Sequence, residues 1–106
     1  MMNRIDRIKE MEKIYDKTSK SVKELEKALE AFKKDEKALY KLSKYYGSKA
    51  WLDDYDAYDA GKVPKNVKAG VLSQDLVYDL LVDYHDLVTE MSKLVNKALE
   101  EQIWVL

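Results

Sequence analysis

Ile8, Tyr15, Val22 and Leu29 recur every seven residues, and Met11, Thr18, Leu25 and Phe32 recur three places behind them. An α-helix brings residues at that spacing onto one face, and a helix carries such a stripe when it packs along most of its length. Ile14 and Ala28 widen the stripe. Asn3 can cap the helix through its side-chain oxygen, with Asp6 in the capping-box place three residues on. The spacing predicts a helix over about 4–33, ~45 Å long.

A second stripe mirrors the first. Val77, Leu80, Tyr84, Leu87, Met91, Leu94 and Ala98 repeat the period, and Leu81, Val88 and Val95 add a neighbouring row. Ser73 is the expected N-cap, and Asp75 sits in the first turn, where the positive end of the helix dipole favours a carboxylate. Leu72 and Val77 have the spacing of a hydrophobic staple. This helix is expected over about 74–101. Two long helices of similar length joined by a long connection predict an antiparallel pair.

Such a pair exposes its seam, so the middle of the chain is expected to cover it. Three glycines and one proline leave little turn material. Ala38, Leu39, Leu42, Tyr45 and Tyr46 form one helical face that Gly47 stops. Glu36 falls on the next seam position of the first helix and Asp35 could cap a new start, so a break is expected near Lys34–Glu36. Short helices are expected over about 36–46 and 49–60. Ser48 would cap the second and Gly61 would end it. Residues 61–73 form a connector, in which Pro64 keeps Val63 out of the helical region and Gly70 permits a turn. The expected fold is a single all-α domain over residues 1–106. It is an antiparallel helical bundle of two long helices, with one or two short helices and a Pro/Gly connector between them.

Composition narrows the function classes. Cysteine is absent, which excludes disulfides and thiolate sites. No apolar run is long enough for a membrane span, and "MMNRIDRIKEMEK" lacks the apolar core of a secretory signal, so a cytoplasmic location is expected. The net charge of −1 hides an asymmetry. Residues 1–50 carry 14 Lys/Arg against 9 Asp/Glu (+5), and residues 51–106 carry 5 against 11 (−6). The two halves attract each other within the fold, or one of them meets a charged partner.

The run "YYGSKAWLDDYDAYDAGKVPKNVKAGVLSQDLVYDLL" resembles the signature of a small bacterial family, domain of unknown function 4298. The resemblance rests on Tyr45-Tyr46, Trp51, the acidic stretch Asp53 to Asp59, Gly61 to Pro64, and the turn from Gly70 to Asp75. It covers about a third of the chain closely. It implies a bacterial or mobile-element origin and brings no activity with it.

The acidic stretch is the candidate site. Asp53, Asp56 and Asp59 would be i, i+3, i+6 neighbours on a helix, where each like-charge contact costs a few tenths of a kcal/mol. Asp56 and Asp59 also lie in the last turns, where the dipole disfavours them by ~0.3–1 kcal/mol. Local conflicts of this kind mark functional sites or compensation from elsewhere. Three readings are open: compensation by Lys62, Lys65 and Lys68, a basic partner, or a divalent cation. Calcium-loop spacing fails, because a loop starting at Asp54 places Lys65 where the bidentate glutamate belongs. The single histidine, His85, follows Tyr84 and should face solvent. No metal or cofactor is expected.

No catalytic residue is expected either. Phosphate-loop and H-E-x-x-H motifs are missing, Ser73 has a capping role, and Asp79, Asp83, Asp86 and Glu90 form a solvated stripe. Direct nucleic-acid binding is disfavoured, because Asp16, Glu24 and Glu30 dilute Lys13, Lys17, Lys20, Lys27 and Lys34. The apolar tail Ile103-Trp104-Val105-Leu106 would pack near Ile5 and Ile8 or serve as a homodimer contact.

The expected function is therefore a non-enzymatic protein-interaction module. Its partner has a basic surface, met by Trp51, Asp53, Asp54, Tyr55, Asp56, Tyr58 and Asp59. One version is a phage-type or mobile-element inhibitor whose carboxylates take the place of phosphates in a nucleic-acid-binding groove. The alternative is a carboxylate metal-binding protein or hydrolase at the same aspartates.

Overall fold

A computed structural model describes residues 3–101. The chain is all-α. Helix α1 (Arg4–Tyr45) is followed by α2 (Lys49–Asp59), a 3-10 turn (Gly70–Leu72) and α3 (Leu76–Glu101), with no strand among the described residues. Two long helices and one short one, with no strand among the described residues, give the all-α class that the two apolar stripes predict. The tail Ile103–Leu106, with its expected packing or dimer contact, lies outside the described residues.

By its own contacts the chain divides into two compact units, Met1–Tyr40 and Lys41–Leu106, with the boundary inside α1. The reason lies in what holds the second unit together. Hydrogen bonds between side chains and distant groups tie Tyr45, Tyr46 and Trp51 to Asp54, Gln74 and Val71, all of them beyond Lys41.

The first unit, taken by itself, is helix. Asn3 caps it as expected, its Oδ1 accepting the Asp6 N–H at 2.8 Å. The predicted break near Lys34–Glu36 does not occur, and α1 runs unbroken for 42 residues. A carboxylate at a seam position changes which face is apolar, but lysine and glutamate are good helix formers and only glycine or proline would stop the backbone. The separate helix expected over 36–46 is thus the end of α1. The stripe is exposed, Val22 at 63% and Leu25 at 62%. Thr18, in the stripe, donates its hydroxyl to the Ile14 carbonyl at 2.7 Å, so its polar tip is satisfied inside its own helix. The pairs Lys20–Glu24 and Glu30–Lys33 add a few tenths of a kcal/mol each at most.

The second unit contains the core. Gly47 follows the end of α1 with φ 77°, a conformation glycine adopts without a Cβ penalty. Ser48 then caps α2, accepting the Trp51 N–H at 3.2 Å. Helix α2 ends in a Schellman motif. The Gly61 N–H reaches the Tyr58 carbonyl at 3.0 Å and the Lys62 N–H reaches the Ala57 carbonyl at 2.9 Å, with Gly61 at φ 74°. Gly70 serves a different need: a Cβ there would lie 3.0 Å from Leu76 Cδ2, so the glycine permits close approach rather than a left-handed turn. Ser73 accepts the Leu76 N–H at 3.2 Å, and α3 begins two residues later than the sequence suggests.

The buried apolar side chains are Trp51, Leu72 and Val77, each from a different element. Leu72 and Val77 are the two residues with staple spacing. Burying side chains of this size is worth roughly 1.5–3 kcal/mol each. No described helix is long and apolar enough to cross a membrane.

Candidate functional site: an acidic face on an aromatic platform

Ser48 and Gly61 delimit α2, so its sidedness follows from helical geometry alone. Trp51 points into the second unit, 7% exposed, and its Nε1–H donates to the Val71 carbonyl at 2.9 Å. Tyr46 meets the indole edge-on at 5.3 Å and donates its hydroxyl to the Gln74 carbonyl at 2.7 Å. Tyr55 stacks on the indole, with ring centroids 5.6 Å apart and planes inclined by 24°. Aromatic contacts of this type add about 0.5–1.5 kcal/mol beyond area burial. Together they fix α2 against the 3-10 turn and tie Tyr46 to the segment just before α3.

Trp51, expected among the partner-binding residues, is held inside this platform. It is buried, and its N–H is taken by the Val71 carbonyl. Tyr55, half-buried against it, belongs to the same platform.

The aspartates separate into three environments. Asp54 accepts the Tyr45 hydroxyl at 2.6 Å, joining the end of α1 to α2. That hydrogen bond is the main reason the Tyr45 phenol is raised from 10.0 to about 12, with burial and the adjacent negative charge acting in the same direction. Asp53 lies 4.0 Å from Lys49 one turn earlier, a solvent-exposed pair. Asp56 and Asp59 have no ion pair among the described residues, although Lys62, Lys65 and Lys68 follow close behind in the chain. The local lysines therefore do not offset these two charges by direct pairing.

Asp53 and Asp56 share the face opposite Trp51, and Leu52 flanks them, exposed. Tyr58, 50% exposed, and Asp59 line a cleft of about 520 Å³ with Gly61, Val63, Lys65 and Val67. Sequence reasoning overlooked three parts of this arrangement. The Lys49–Asp53 pair was readable from its i, i+4 spacing. The Tyr45–Asp54 and Tyr46–Gln74 bonds carried no local signal.

His85 is exposed, its Nδ1 3.7 Å from Asp86 Oδ1, as expected of a surface residue. Among the described residues no three histidine, aspartate or glutamate side chains converge as a group that could hold a metal ion.

A family model spans residues 8–94, taking in most of α1, all of α2 and the turn, and α3 as far as Leu94. The chain belongs to the family Domain of unknown function 4298. The platform and the acidic face of this family 4298 chain both lie inside the matched span. Neither a curated protein nor a solved structure gives a significant match to it.

Proposed function

We propose that this family 4298 chain is a non-enzymatic interaction module of the bacterial cytoplasm that binds a protein with a basic surface. The supporting observation is the pair Asp56 and Asp59, exposed and without an ion pair at the carbonyl end of α2. In the free protein the dipole disfavours each of them by ~0.3–1 kcal/mol. A cationic partner reverses the sign of that contribution.

The platform bears on the same reading. With α2 fixed by Trp51, its outer carboxylates are already positioned, which lowers the ordering cost of association. Charges arranged this way raise the association rate and select against acidic partners, and both effects weaken with salt. The contact residues are Asp53, Asp56, Tyr58 and Asp59, with Asp54 retained for Tyr45. In the inhibitor form of this reading, the carboxylates occupy a nucleic-acid-binding groove, and DNA or RNA competes for the partner. For the carboxylate metal alternative, no group of three possible ligands converges among the described residues.

The test is charge reversal of Asp53, Asp56 and Asp59 to lysine. It should abolish partner capture from lysate while leaving the far-UV circular dichroism unchanged. Undiminished capture by the folded variant refutes the proposal.

A further inference from the structure

We infer that the cleft at the carboxyl end of α2 is the seat of one arginine or lysine side chain of the partner. This rests on the basic-partner reading and specifies which part of the partner enters. Tyr58, Val63 and Val67 give the cleft apolar walls, and Asp59 supplies a carboxylate. A long cationic side chain has the matching composition, an aliphatic stem that packs on apolar surface and a charged tip. The half-exposed Tyr58 ring offers the stem a packing surface and the cation a favourable ring face.

The backbone contributes independently of Asp59. Helix α2 ends at Asp59 on the cleft, Gly61 just beyond it lines the same cleft, and the last turn contains no basic residue. The carbonyl end of a helix favours cations. The Schellman bonds satisfy the Ala57 and Tyr58 carbonyls and leave the dipole's negative end without a countercharge in that turn.

Lys65 is the chain's own cation on the cleft wall, and it makes no ion pair with Asp59. It sets the sign of a discriminating test. For a cationic guest, Lys65 is a like-charged competitor, and removing it strengthens binding. For an anionic or zwitterionic guest, Lys65 is a recognition group, and removing it weakens binding.

The experiment titrates the whole chain with N-acetyl-arginine amide at low salt, followed by amide chemical shifts. Saturable shifts at Tyr58, Gly61 and Val67 are expected. Asp59→Asn should weaken the interaction about threefold, and Lys65→Gln should tighten it about twofold, the scale of exposed ion pairs. Both substitutions are on the surface and leave the platform intact. N-acetyl-glutamate amide and N-acetyl-leucine amide should leave these amides unmoved. An absent or unsaturable arginine response, an equal response to the leucine probe, or weakening by Lys65→Gln overturns the inference. A lysine-rich peptide that still shifts Asp53 and Asp56 in that case would keep the broader acidic-face reading intact.

Discussion

Both units carry a seven-residue apolar stripe, and only the unit from Lys41 onward carries a buried core among the described residues. Helix α1 repeats its apolar stripe through four heptads yet has no buried residue. The second unit joins the stripe of α3 to an irregular run of tyrosines, aspartates and glycines, and it buries Trp51, Leu72 and Val77. Periodicity thus reports which face of a helix is apolar. It does not report where a unit obtains its own stability, which here comes from α2, the 3-10 turn and the start of α3, each contributing one buried side chain.

The sharpest way to break this comparison is to separate the units. The fragment from Lys41 onward should keep its cooperative melting and its near-UV circular dichroism. The fragment ending at Tyr40 should be only marginally helical in water, as isolated helices are. A featureless near-UV spectrum from the Lys41 fragment contradicts the assignment of the core. Next in size, Trp51→Ala in the full chain should cost about 3–5 kcal/mol, read from urea denaturation. A loss below about 1 kcal/mol would show that the indole is peripheral.

Glycine substitutions sharpen the comparison further. Gly61→Ala should cost about 1–2 kcal/mol, because its left-handed φ penalises any Cβ. Gly70→Ala should cost less, since the added Cβ meets only the end of the flexible, exposed Leu76 side chain. Equal losses would show that the two turns are constrained alike.

Tyr45→Phe comes next, at about 1 kcal/mol for one hydrogen bond. Its pH dependence has a definite sign. The folded-state phenol is raised from 10.0 to about 12, so its contribution is complete below pH 10 and is lost as pH rises through about 12. Asp54→Asn should bring the Tyr45 titration, followed by ultraviolet absorbance, back toward 10.0. An unchanged titration would separate the shift from Asp54.

The smallest effect has the opposite sign. Asp56→Asn should stabilise the free protein by a few tenths of a kcal/mol, because it removes a charge that the helix dipole disfavours. Lower stability would reveal a favourable contact for that carboxylate.

Much of the fold was legible because its signals are local. Asn3, Ser48 and Ser73 sit at helix starts with hydroxyl or amide oxygens in reach of the next N–H groups, and Gly61 follows a helix end. The expected break at Lys34–Glu36 failed because a charge on the seam was given the weight of a backbone breaker. The site was legible in its charges and not in its division of labour. Nothing near Trp51 in sequence announces that its N–H is taken by Val71, twenty residues away. Asp54 resembled its neighbours until Tyr45 was found beside it.

The central proposal is that Asp56 and Asp59, which make no ion pair among the described residues, meet a cation supplied by a partner. Titration of the uniformly labelled protein with a short arginine- and lysine-rich peptide, at low and then high salt, tests it most directly. Salt-sensitive shifts gathered at Asp53, Asp56, Tyr58 and Asp59, with the Trp51 indole N–H unmoved, are the predicted result. Shifts absent from α2, or spread evenly over every acidic residue of the chain, would contradict it.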